Sequence, residues 1–232
     1  MPDIGPFSLA IEVASRSGAV ALGREETFLD EERVGPELRR ADDLLPAIDR
    51  LMRRHRVAPS ELGAVFISIG PGGFTGLRLG VTVAKMLGFA TDARIVAVPT
   101  AEVVAESVAP NSGCLLVAIG SKGDRFWATV FEGTEGVWEV REAGREVDAA
   151  ATDLREWMRA DLVVSDRPPP GLVNACAERE TPIESAAYSA AACWRVGRRR
   201  AGRGLWTSPA RLAPLYGREP EAVRQWRRRD AP

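Results

Sequence analysis

Residues 64–90 read AVFISIGPGGFTGLRLGVTVAKMLGFA, and no other stretch limits the fold as strongly. Val65, Phe66, Ile67 and Ile69 form a short β-branched and aromatic run, the pattern of a mostly buried strand. Gly70-Pro71-Gly72-Gly73 breaks it, because glycine admits positive φ and close backbone approach while proline fixes its own φ. Thr75 is placed to cap a helix from Leu77 to Ala90. Strand, glycine turn and helix N-terminus aim several backbone N–H groups at one spot. The loop Gly70, Pro71, Gly72, Gly73, Phe74, Thr75, Gly76 is therefore a candidate anion or nucleotide contact. The plainer reading is a tight turn whose glycines serve packing alone. Leu77 and Arg78 stand where a P-loop needs Lys-Ser/Thr, and the glycine spacing misses the dinucleotide fingerprint.

The helix that follows is apolar around most of its circumference. Leu77, Val81, Ala84 and Gly88 make one face, and Leu79, Val83, Leu87 and Ala90 widen it. Such a helix is buried on both sides, either in a central core or against a partner. Gly80, Ala84 and Gly88 form a small-residue stripe that lets a second helix approach closely. Helix–helix association between subunits and purely internal packing are both open at this point.

The chain has 232 residues, enough for one large domain or two small ones. Its net charge of −1 is unevenly spread: residues 190–232 carry 11 Arg against 3 acids, a balance of +8 that leaves −9 elsewhere. A basic segment on an acidic body suits RNA or an acidic partner, or is simply a solvated Arg-rich surface. Cys114, Cys176 and Cys193 lack Cys-x-x-Cys spacing, so neither a zinc site nor a disulfide framework is expected. With no signal-like leader and no apolar run of membrane length, a cytoplasmic protein that does not contact membrane is expected. The single histidine, His55, rules out a His-x-x-x-His metal pair and lies among arginines at a helix end.

Taken in order, residues 7–13, 19–23 and 27–34 read as three consecutive strands, followed by an amphipathic helix over 37–55 with Leu38, Leu44, Leu45, Ile48 and Met52 on its apolar side. After the 64–90 unit come a strand at 95–98 and a helix at 101–108 that Thr100 could cap. Asn111-Ser112-Gly113 reads as a boundary, giving expected domains 1–110 and 111–232. Strands at 114–119, 125–131, 136–142 and 162–165 then follow, with helices at 152–159, 172–180 and 186–200 and a basic tail containing Trp226. This strand-strand-strand-helix-strand order recurs. It is the pattern of a duplicated actin-like (sugar kinase/Hsp70-type) two-lobed α/β fold, with mixed sheets flanked by helices.

Four motifs carry a closer resemblance. Leu9-Ala10-Ile11-Glu12-Val13-Ala14-Ser15 resembles the opening "LAIDTS" of the TsaB (YeaZ) family, which belongs to the actin-like, former M22 glycoprotease superfamily. Asp42–Ile48 is similar to its "LLP-x-I" helix, residues 70–80 to its "GPGSFTGLRIG", and residues 208–218 to its "P-x-YLR" ending. Glu12 replaces the family's Asp, and Gly73 its Ser. The resemblance implies a subunit without catalytic or metal residues of its own. Its implied partners are a TsaD-like subunit, which carries the metal-binding His pair and transfers threonylcarbamoyl to an adenosine beside the tRNA anticodon, and a TsaE-like ATPase. It also implies a homodimer in isolation, indirect contact with tRNA, and no cofactor of its own, with ATP or ADP admissible in the complex. Association through N-terminal-domain helices implies an interface at Leu44, Leu45, Ile48, Leu77, Val81, Ala84 and Gly88. The alternative is an active actin-like small-molecule kinase, with Ser15, Gly72, Gly73 and Thr75 on phosphate and Asp124 or Asp166 as the acid. A peptidase has no residues to run on.

Overall fold

A computed structural model of the protein describes residues 6–35, 40–111, 113–121, 123–150, 154 and 157–217. Its strands are β1 (Phe7–Glu12), β2 (Ala19–Arg24), β3 (Thr27–Arg33), β4 (Leu62–Gly70), β5 (Arg94–Pro99), β6 (Cys114–Gly120), β7 (Arg125–Thr134), β8 (Val137–Asp148), β9 (Leu162–Ser165) and β10 (Ile183–Ser185). Its helices are α1 (Arg40–Arg54), α2 (Phe74–Thr91), α3 (Thr100–Glu106), α4 (Pro170–Glu178) and α5 (Ala190–Gly202).

The strands form two five-stranded sheets, ordered β3-β2-β1-β4-β5 and β10-β9-β6-β7-β8. Read from its far edge, the second repeats the first. In each, three antiparallel strands are followed by two that join the first strand's other side in parallel. The expected actin-like, two-lobed α/β fold with mixed sheets flanked by helices is the fold observed.

Strand periodicity explains how the first sheet is covered. Leu9, Ile11, Val65 and Ile67 face α1 and α2, meeting Leu44, Ile48, Leu51, Val81 and Ala84. The alternate residues Ala10, Ala21, Phe66 and Val96 face the other way, onto Ala192, Cys193, Trp194 and Val196 of α5. The Trp194 indole lies over Gly23, where any side chain would collide with it, and its Nε1 donates to Ser8 Oγ at 2.8 Å. The second sheet is packed on one face by Trp157, Leu172 and Cys176, and on the other by Ala101, Val104 and Ala105 of α3. Helices α3 and α5 thus form the layer between the sheets, and ion pairs join them: Arg195 and Arg199 to Glu106, Arg200 to Glu102. Many of the basic residues of the 190–217 region are therefore paired with acids of the body.

Several elements differ from the sequence reading. Around 152–159 only a turn at Leu154 and a 3-10 turn at Trp157–Arg159 are described; the rest of that expected helix lies outside the described residues, as do Leu38 and the basic tail from 218 onward with Trp226. The three-residue strand β10 went unread because Ile183 is its one apolar residue. Thr100 does not cap α3; it is the first residue of that helix, and its hydroxyl turns back to β4. No described helix is long and apolar enough to cross a membrane.

Candidate functional site

The glycine loop between β4 and α2 is fastened to the protein on three sides. Gly70 has φ +117°, a conformation suited to glycine, and its N–H donates to Thr100 Oγ1 at 3.0 Å. The Gly73 N–H donates to the Ala14 carbonyl at 2.6 Å, pressing the loop against the turn after β1. Gly72 is what allows this approach: a Cβ there would lie 2.6 Å from the Ala14 oxygen. On the third side the Leu215 N–H donates to the Ile69 carbonyl at 2.7 Å, and Gly217 rests against Pro71. The C-terminal stretch around Tyr216 therefore runs along the loop. Arg78 sits 3.8 Å from the centre of the Phe74 ring and donates through Nε to the Tyr216 hydroxyl at 2.9 Å. The two rings are 5.2 Å apart.

The loop's amide donors are therefore partly spent on the protein itself. The N-cap of α2 is Gly73, not Thr75, and no side chain caps it. The turn after β6 behaves in the same way: the Gly120 N–H donates to Asp166 at 2.7 Å and the Ser121 N–H to the Arg125 carbonyl at 2.9 Å. Asp166 is thus held by a structural bond, and Asp124 accepts from the Gly171 N–H at 3.4 Å. The Ser15 hydroxyl donates to the Ser17 carbonyl. His55 pairs with Asp30 at 3.0 Å, and among the described residues no group of three or more His, Cys, Asp or Glu gathers as metal ligands would.

Glu12, the last residue of β1, is wholly buried. Its Oε1 accepts the Ala14 N–H at 2.7 Å, and its Oε2 has no hydrogen-bond partner. Burial pushes its carboxyl up to about 7, against the opposing pull of the Ser68 hydroxyl and the Ala14 and Ser15 amides. Burial also raises the Tyr188 phenol, helped by the negative charges of Asp166 and Glu12.

A family model described as "TsaD: tRNA N6-adenosine threonylcarbamoyltransferase" matches residues 38–147. The chain is 27% identical over 160 residues to the tRNA threonylcarbamoyladenosine biosynthesis protein TsaB of Bacillus subtilis, covering 69% of this chain and 67% of that protein. It is 26% identical to the Escherichia coli protein of the same name, over 58% of this chain and 59% of that one, so less than two thirds of the latter is spanned. Among solved structures, YeaZ from Pseudomonas aeruginosa superposes with a TM-score of 0.72 at 20% identity, over 90% of this chain and 99% of that one, a likeness of fold. In sequence and in fold the chain is thus similar to the TsaB (YeaZ) proteins. An uncharacterised Mycobacterium tuberculosis protein is 27% identical over 93% of this chain and 94% of its own length.

For this TsaB-like chain the expected interface residues need correction. Leu44, Ile48, Leu77, Val81, Ala84 and Gly88 are buried in the chain's own core, where no partner reaches them. The small-residue stripe serves the sheet and not a second helix: a Cβ on Gly80 would meet Val13 at 2.7 Å, and one on Gly88 would meet Ile95 at 2.9 Å. Leu45 alone of the seven is exposed, at 46%. The outward face of α2 instead carries Phe74, Arg78, Thr82, Met86 and Phe89, with Phe89 72% and Met86 53% exposed. The signal for this second face was present in the sequence, as large apolar residues at 74, 86 and 89 in helical phase with Arg78 and Thr82. It was masked by the stronger apolar run on the sheet side.

Proposed function

We propose that this chain is a non-catalytic partner subunit in tRNA threonylcarbamoyladenosine formation, acting by pairing with a TsaD-like transferase. The observation that carries the reading is the outer face of α2. Phe74, Met86 and Phe89 leave large apolar surfaces in water along one helix, and Leu45 of α1 adds another. A few buried apolar anchors supply most of the energy of such contacts. Arg78, braced by Phe74 and Tyr216, adds a cation beside the apolar residues. The same face serves a homodimer when the partner is missing, and a TsaE-like ATPase joins the assembly. The absence of catalysis by this chain is supported by the engagement of Asp166 and of the Gly70, Gly73 and Gly120 amides within the fold. Of the donors the alternative kinase would place on phosphate, the Gly73 amide and the Ser15 hydroxyl are already engaged within the fold.

The test is co-purification with the TsaD-like protein of the same source, followed by assay of the modified nucleoside in tRNA. Met86→Glu combined with Phe89→Glu should leave the fold intact, because both side chains are largely exposed, and should weaken association at least ~10-fold. Retained co-elution and full modification with the double variant would remove the support for this face.

A further inference from the structure

Glu12 ties three segments together without a counter-charge. Through Ala14 it reaches the glycine loop: the Ala14 N–H donates to Glu12 Oε1, and the Ala14 carbonyl accepts the Gly73 N–H. On its other side is Ser68, whose hydroxyl lies 2.8 Å from Thr100 Oγ1, the acceptor of the Gly70 N–H. The Gly73 end of the loop thus leads by hydrogen bonds to a carboxyl that is fully buried with one oxygen unpartnered, and the Gly70 end leads to Ser68 near it. The titratable groups that sense it are Tyr188 on the segment before α5 and Cys193 on α5, and Tyr188 in turn senses Asp166 and Arg167 after β9. Arg167 is the one cation of that set, and its guanidinium is engaged with the Gly120 carbonyl at 3.3 Å.

We propose that Glu12 is a proton-operated latch on the glycine loop, closed when its carboxyl is neutral and released when the proton leaves to solvent. In the neutral form Oε1 continues to accept from Ala14 while Oε2 carries the hydrogen, with the Ser68 hydroxyl nearby. The Ser68–Thr100 bond can run in either direction and so accommodates that hydrogen. In the ionised form a charge stands in a wholly buried site, and it regains water when the turn at 13–15 lifts from Gly72 and Gly73. The latch is independent of any partner, so it stands or falls apart from the proposed function.

Amide hydrogen exchange followed by NMR on the full chain reads the latch directly. Protection of the Ala14 and Gly73 amides, corrected for intrinsic exchange, should fall about tenfold between pH 5 and pH 6 and level off above pH 7, and should stay constant in Glu12→Gln. Constant protection in the unmodified protein, or an equal fall in Glu12→Gln, overturns the proposal. Should the variant not fold, the unmodified protein labelled at the glutamate carboxyl carbon decides: one carbon titrating near neutrality supports the latch, and all titrating in the ordinary range overturns it.

Discussion

Gly72→Ala is expected to cost roughly 3 kcal/mol of stability, whereas Gly73→Ser, one position on, should change it by less than about 1 kcal/mol. The difference lies in what each new Cβ meets. At position 72 it would fall 2.6 Å from the oxygen, 2.7 Å from the Cβ and 3.0 Å from the carbonyl carbon of Ala14. Those atoms belong to a backbone held by Glu12 and Gly73, so relief requires separating the two turns. At position 73 the single near neighbour is the Ala14 oxygen at 3.3 Å, which a small shift relieves. Serine at 73 is also what the family motif resembled by this stretch carries. Urea unfolding of both variants checks the pair, and equal losses would show that the turns do not press on each other as described. Gly72→Ala should also weaken capture of the proposed TsaD-like partner, since α2 begins where the turns meet.

Glu12→Gln should remove most of the acid-to-neutral slope in stability. The sign follows from linkage: the folded-state carboxyl titrates at about 7 against an ordinary 4.5, so folding takes up a proton between those values. The contribution of this group is therefore complete below pH 4.5, declines as pH rises towards 7, and is flat above. Over that window the unmodified protein loses on the order of 3 kcal/mol from this site, while the amide of the variant does not titrate. Unfolding free energies at pH 5, 6, 7 and 8 should show the variant gaining relative to the parent as pH rises. Parallel curves would sink the assignment.

Much of the fold was legible because its strands are short, apolar and bounded by glycine, proline or polar turns. The first three strands, the β4–α2 unit and β6 stand close to where the sequence put them. The candidate site was legible only in part. Periodicity finds the apolar side of a helix but not what that side meets, so Leu77, Val81, Ala84 and Gly88 read as well for a partner as for a sheet. The sheet has them, because β1 and β4 lie directly beneath. Position in the chain likewise hid the partner of α5: Trp194 and Val196 stand more than a hundred residues from Phe66, which they cover. Glu12 looked like a small departure from a motif. Its burial comes from the overlying segments before and within α5, which are remote in sequence.

The covering of the first sheet by α5 also bears on how the polypeptide is made. Every strand of that sheet has been synthesised by Pro99, yet the side bearing Ala10, Phe66 and Val96 has only Val103 of α3 to cover it until residues 190–201 leave the ribosome. A nascent chain therefore carries an exposed greasy surface from the completion of β5 until α5 emerges, a period in which holding factors have something to bind.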